Sequence, residues 1–194
     1  MLNYTKYLVK ERVAFLKLSD TYDIFDPGTG IQIGIAHERP STLVHFLRFL
    51  VNKRLLPTSV EIKPSPESAP ILTIKRGITL IQSKVMVYDG AGNAIGYFKS
   101  KFFSIGGGFY IFDMNNNKVA EIKGDWKGWN FQLLTMDGAE IGTITKKWAG
   151  IGKELFTSAD NYMIAINDAY AGNQSLIALL LAAGLAIDIV FKEK

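Results

Sequence analysis

The sequence predicts a mainly β fold: a closed antiparallel β-barrel around a buried apolar C-terminal helix. Three observations predict it. Polar turns rich in Asp, Asn and Gly recur between apolar runs, and one late segment is apolar on every side of a helix. The composition, 48% hydrophobic and 21% charged, suffices for a core and argues against disorder. The 194 residues fit a single domain over 1–194, since one-domain barrels reach ~200–250 residues.

Four segments share the turn pattern. Tyr22-Asp23-Ile24-Phe25-Asp26-Pro27-Gly28-Thr29-Gly30 leads into the apolar stretch 31–36, and Val85-Met86-Val87-Tyr88-Asp89-Gly90-Ala91-Gly92-Asn93 leads into 94–99. Phe109-Tyr110-Ile111-Phe112-Asp113 turns through Asn115, Asn116 and Asn117 into 118–123, and 131–136 turns at Asp137-Gly138 into 140–146. Asp89, Asp113 and Asp137 recur at equal intervals. Asp, Asn and Gly tolerate left-handed backbone and close the short turns between antiparallel strands, so each unit reads as a β-hairpin. Several strands carry apolar residues on both faces, which suits a sheet covered on both sides in places. Closure into a barrel removes the exposed edges that a long meander would leave.

Two segments read as helix. Over 41–54, Leu43, Phe46, Leu47, Leu50 and Val51 share one face, while Ser41, His45, Arg48 and Asn52 share the other, between Pro40 and Pro57. This amphipathic helix either covers an open end of the barrel or lies on an anionic membrane. The stretch 63–70 is rich in Pro and Ser and reads as a loop. The second helix covers about 174–191. Every residue from Leu176 to Ile187 is Leu, Ile, Ala or Gly, and Asp188 ends the run. A bilayer span needs ~20 apolar residues, so this shorter run reads as a core helix, thin enough at its alanines and Gly184 to sit inside a barrel.

Composition also excludes functions. Without cysteine there is no disulfide, thiolate nucleophile, iron–sulfur cluster or palmitoylation. Two histidines cannot form a His-rich metal site, and His37, beside Glu38 and Arg39, reads as a surface loop. Neither a Gly-x-Ser-x-Gly elbow nor a Gly-Lys-Ser/Thr phosphate loop occurs, and Gly106-Gly107-Gly108 reads as a turn. The chain is therefore read as no enzyme. The first ten residues lack the continuous apolar core of a signal peptide. A net charge of +4 favours an anionic surface without the charge density of a dedicated nucleic-acid binder. Basic and aromatic residues interleave at Trp126-Lys127-Gly128-Trp129, but no nucleic-acid-binding motif accompanies them.

The C-terminal third resembles the phospholipid scramblase family. The residues that carry this are Ile141-Gly142-Thr143-Ile144-Thr145-Lys146-Lys147-Trp148-Ala149-Gly150 and Glu154-Leu155-Phe156-Thr157-Ser158-Ala159-Asp160-Asn161-Tyr162. The apolar helix then ends Ile187-Asp188-Ile189-Val190-Phe191. Tyr22-Asp23-Ile24-Phe25-Asp26 and the repeated turns resemble that family and its wider Tubby-like relatives. The resemblance implies a barrel of roughly twelve strands around a central C-terminal helix. It also implies lipid association and raises the question of calcium, since the family's calcium segment overlaps 158–169. Here Asp160 and Asn161 are retained, while Ser158 and Ala169 stand where acidic residues are usual. Ser158, Asp160 and Tyr162 do not supply the alternating oxygens of an EF-hand loop, and Met163 replaces its turn glycine. Asp160-Asn161 is therefore read as a turn between strands, and no cofactor is assigned, with calcium kept as the alternative.

The resulting expectation is a non-enzymatic scramblase-family protein at a phospholipid surface. Its lipid-binding candidates are Lys146, Lys147, Trp148 and Lys153, with Arg48, Lys53 and Arg54 from the first helix. Lysines can lay their stems along apolar surface, and tryptophan suits a lipid interface. The same residue types are common at solvated strand ends and in β cores. The expected location is cytoplasmic, peripheral at the inner face of the membrane. Two alternatives remain: a scramblase with its C-terminal helix in the membrane, and a barrel that binds a small molecule or protein. The protein partner is unassigned, and nucleic acid is set aside.

Overall fold

The computed structural model describes residues 1–12, 19–39, 56–77, 84–101, 108–125, 128–146 and 161–191, with side chains as far as Ile187. Twelve strands follow one another: β1 Lys6–Glu11, β2 Thr21–Phe25, β3 Gln32–Glu38, β4 Thr58–Lys63, β5 Leu72–Arg76 and β6 Lys84–Asp89. Then come β7 Ala94–Ser100, β8 Gly108–Phe112, β9 Lys118–Asp125, β10 Asn130–Leu134, β11 Glu140–Thr145 and β12 Asn161–Ile166. A 3-10 turn at Asp168–Tyr170 leads into the helix α1, Gln174–Phe191. Each strand pairs antiparallel with its neighbours in sequence, and β1 closes the barrel on β12 through Lys6 opposite Ala165 to Lys10 opposite Asn161. No edge is left unpaired among these strands.

The Asp turns form one rim of the barrel and show why the hairpins close. In the β6–β7 hairpin, Asp89 Oδ1 accepts from the backbone N–H groups of Ala91 (3.0 Å) and Asn93 (2.8 Å). In β8–β9, Asp113 Oδ1 accepts from those of Asn115 (2.9 Å) and Asn117 (2.8 Å). Each turn then needs one left-handed residue, supplied by Gly92 (φ 86°) and Asn116 (φ 66°). The β10–β11 hairpin has the same backbone bonds but a different anchor. Thr135 occupies the position of Asp89 and Asp113, its Oγ1 accepting from Ala139 N–H at 2.9 Å, while Asp137 stands two residues later. The equal spacing of the three aspartates therefore overlaps two structurally different positions. A register shift directly precedes the turn in β2–β3, β6–β7, β8–β9 and β10–β11.

Alternation separates inside from outside. On β4, Thr58, Val60 and Ile62 are buried and Ser59, Glu61 and Lys63 are partly exposed. The interior is filled by α1, whose described residues from Ile177 to Ile187 are buried. Gly184 faces β12, and a Cβ there would collide with Cδ1 of Ile164. Asn173 caps the helix, its Oδ1 accepting from Leu176 N–H at 3.0 Å. The six Leu and Ile side chains between Ile177 and Ile187 are at most 5% exposed. At roughly 1.5–3 kcal/mol each, their burial contributes on the order of 10 kcal/mol, as much as the net stability of a whole domain. Among the described residues no helix is long and apolar enough to cross a membrane.

β12 is buried from Asn161 to Ile166 on both faces, as is Leu8 opposite Met163 on β1. Two details depart from the sequence reading. Asn161 opens β12 in register with Lys10 instead of forming a turn. His37 and Glu38 lie in β3, not in a loop: His37 Nδ1 is 2.8 Å from the Thr21 hydroxyl, and Glu38 is fully buried. The stretch 40–55 lies between β3 and β4, so the helix expected at 41–54 is outside the described residues.

Candidate functional site

The outward residues of β5 to β9 form a wall of lysines and aromatic rings. Register brings them together: Lys75 stands opposite Met86, Met86 opposite Tyr97, and Tyr97 opposite Phe112. A parallel row runs Lys84, Lys99, Tyr110, Glu121. Tyr97 and Phe112 stack face to face, 4.8 Å apart and 4° from parallel, and Tyr110 meets Phe112 edge-on. Ammonium groups lie over the rings: Lys84 over Tyr97 at 3.9 Å, Lys118 and Lys101 over Tyr110 at 4.2 and 4.5 Å, and Lys75 over Tyr88 at 5.0 Å. Long stems thus cover apolar ring surface while the charges stay at the water boundary.

Glu121 is the partly buried carboxylate of this wall, with the exposed Asp125 at the far end of β9. It pairs with Lys101 and, at 3.4 Å, with Lys123. Desolvation pushes its carboxyl up, but the hydrogen bonds and charges of Lys101 and Lys123 outweigh this and hold it below the usual carboxylate range. Lys75, Lys84, Lys99, Lys118 and Lys123 remain exposed, and the wall is strongly cationic.

Where the wall reaches the rim opposite the Asp turns, a cavity of about 490 Å³ opens among β4, β5 and β6. Arg39, Lys75 and Arg76 line it with the Thr58 and Ser59 hydroxyls, over Met86 and Tyr88. Arg76 is 4% exposed, and its Nη2 donates to Thr58 Oγ1 at 3.1 Å and to the Leu56 carbonyl at 3.3 Å. Arg39 Nε lies 3.1 Å from Glu61, which also meets Lys63 at 3.3 Å. Three cations and no carboxylate stand among the described lining residues, with Glu61 at the edge paired to Arg39.

Of the residues singled out in the sequence, the structure places Lys146. Its ammonium lies 4.4 Å over the indole of Trp129. Trp129 in turn packs against Phe131 and Tyr162. Lys147, Trp148, Lys153, Arg48, Lys53 and Arg54 lie outside the described residues. Of the segment weighed for calcium, Asn161 is on β12 and Ala169 is in the 3-10 turn, donating its N–H to Asn167 Oδ1. Among the described residues no three acidic, His or Cys side chains are grouped to hold a metal. The sequence reading missed the Lys–Tyr wall. Its signal is period two: Lys84, Met86, Tyr88; Tyr97, Lys99; Tyr110, Phe112.

No curated protein and no solved structure matches the chain. A family model described as Scramblase matches residues 29–194, from the β2–β3 turn through every later strand and α1, and the chain belongs to the Scramblase family.

Proposed function

We propose that this scramblase-related protein is non-enzymatic and associates peripherally with anionic phospholipid surfaces, at the cytoplasmic face of a membrane. The observation that carries the proposal is the wall of lysines seated over tyrosines on β5 to β9. Each lysine near an anionic surface contributes about 1 kcal/mol, so about five such charges give on the order of 5 kcal/mol, a Kd of a few tenths of a millimolar in accessible lipid. That is weak, reversible and sensitive to salt. The tyrosine and phenylalanine rings suit the headgroup layer, and the cavity beside Lys75 has the charge to seat a headgroup phosphate. Lys146, Lys147, Trp148, Lys153, Arg48, Lys53 and Arg54 remain part of the proposal as further contacts. Burial of α1 favours this reading over one with the helix in the bilayer.

The test is cosedimentation with vesicles of phosphatidylserine and phosphatidylcholine across a salt series, in the presence of a calcium chelator. Binding to the anionic vesicles at low salt, lost at high salt and absent on pure phosphatidylcholine, is expected. Equal binding to both vesicles, or none at low salt, would sink the proposal. Lys75→Glu tests the cavity, and should remove most of any preference for headgroups with extra phosphates.

A further inference from the structure

We propose that the Asp-turn rim, where the chain passes into α1, is a docking surface for a cationic amphipathic segment of a partner protein. The large apolar side chains that stand exposed among the described residues are Ile31 (63%), Met136 (48%), Met114 (47%) and Tyr4 (37%), and all four lie on this rim. They do not lie there by strand alternation, which places apolar residues inside. Ile31, Met114 and Met136 belong to hairpin turns, and Tyr4 precedes β1.

Their order around the barrel makes them one arc. Going round the rim, the β8–β9 turn with Met114 is followed by the β10–β11 turn with Met136, the end of β12, the residues before β1 with Tyr4, and the β2–β3 turn with Ile31. Neighbouring strands are ~4.8 Å apart, so successive hairpins sit about 10 Å apart and the arc runs about half-way round the closed rim, its ends roughly 20 Å apart across the barrel. A helix of about 13 residues has that length. Unbranched methionines adapt to varied apolar partners, which suits the face of such a helix.

Charge selects the partner. The turns of the arc carry Asp26, Asp113, Asp137 and Asp168 and no Lys or Arg, while Glu67 and Asp89 add negative charge on the other half of the rim. Of the strand-end lysines, Lys118 lies over Tyr110 and Lys63 pairs with Glu61, while Lys6 stands exposed on the arc near Asp168, one lysine against the four carboxylates of the arc. Bonds within their own turns fix Asp89 and Asp113 in place, so their charge stays on the rim. Exposed apolar tips in a negative field match a polypeptide with apolar and basic faces, and they repel the anionic lipid that the opposite charge of the wall attracts. A second copy of this chain, offering its cationic wall, would make a head-to-side contact that does not close and would cover that wall. The inference stands independently of the lipid proposal.

The experiment uses the full chain with its methionine methyls labelled with carbon-13. The probes are a synthetic amphipathic Leu/Lys helix and its Leu/Glu counterpart. Expected are shifts of the Met114 and Met136 methyl signals with the Lys peptide alone, weakening with salt. Met114→Ser with Met136→Ser should lower affinity about tenfold, and Asp26→Asn with Asp113→Asn and Asp137→Asn, which keep the turn acceptors, by a similar factor. Equal shifts with both peptides, no shift, or an affinity unmoved by either set of variants would overturn the proposal. Shifts that follow protein concentration without peptide would replace the partner with a second copy, and shifts on adding vesicles would replace it with lipid. Circular dichroism of each variant separates loss of docking from loss of fold.

Discussion

Strands β5 to β9 carry two surfaces one residue out of phase. Inward, Val85, Val87, Phe98, Ile111, Ala120 and Ile122 are at most 1% exposed and pack around α1. Outward, Lys84, Tyr88, Tyr97, Lys99 and Tyr110 build the cationic wall. The inner set answers to volume, because the barrel closes on a helix that must fit. The outer set answers to charge and to aromatic area, and little of it holds the barrel closed. The same backbone thus keeps fold and binding on opposite faces of one sheet, and substitutions should separate them.

The largest expected effect is on the inner side. Gly184→Arg places a cation where a Cβ already collides with Ile164 and where Ile144 is the next neighbour. Burying that charge without a partner costs several kcal/mol, a large part of the ~5–15 kcal/mol by which a domain is stable. A circular dichroism melt should show no cooperative transition. Gly184→Ala sharpens the point, with an overpacking cost of about 1–3 kcal/mol. If the arginine variant melts like the parent, α1 does not fill the barrel.

Next comes the outer side. Lys84 and Lys99 face each other across β6 and β7, and the double variant Lys84→Glu, Lys99→Glu reverses both charges on the wall. Vesicle affinity at low salt should fall at least about tenfold. The thermal midpoint should move by no more than about 4 °C, the worth of the lost contact between Lys84 and Tyr97. A large fall in midpoint with unchanged vesicle binding would erase the division between the two faces.

The inner face was legible in the sequence and the outer one was not. The uninterrupted Leu/Ala run from Leu176 to Ile187 has one stable setting in a domain of this size, and the Asp and Asn turns announce hairpins through their own backbone bonds. The wall is different, because its residues meet only through register across five strands. Lys84 and Tyr97 are distant in sequence, and each alone reads as an ordinary surface residue. Lys146 is a candidate in the sequence by its place near Trp148, and the structure adds a ring that sequence distance hides, Trp129 just before the facing strand β10. Glu38 was misread because a charged residue beside His and Arg suggests a loop, whereas the alternation of β3 turns it inward.

A smaller effect tests the wall's aromatic frame. Tyr97→Leu removes the stack on Phe112, the ring beneath Lys84 and the bond from the phenol to Asn116 Oδ1 at 3.0 Å. The cost should be about 1–2 kcal/mol, spread over three contacts on a solvent face. Lys84 loses its seat but keeps its charge, so vesicle affinity should fall by less than in the charge reversal. Titrations of Tyr97→Leu and of the double lysine variant on the same vesicles compare them. An equal loss in both would mean that the rings, and not the charges, carry the contact.

The smallest effect belongs to the turns, and it is read against pH. The Asn93 backbone N–H holds the Asp89 carboxyl below its usual range, and the Asn117 side chain does so for Asp113. A carboxyl whose folded value is depressed adds stability above its unfolded value, and that share is lost as pH falls through the folded one. The thermal midpoint should therefore hold at neutral pH and decline below about pH 4. Asp89→Asn with Asp113→Asn keeps the Oδ1 acceptors and removes the titration. The variant should lie within a few degrees of the parent near pH 3, with a shallower decline between about pH 4 and pH 2. Asp26 and Asp137, depressed through Thr29 and Thr135, stay in place and leave part of the slope. An unchanged slope would mean that the same bonds persist in the unfolded chain, as short Asx turns can.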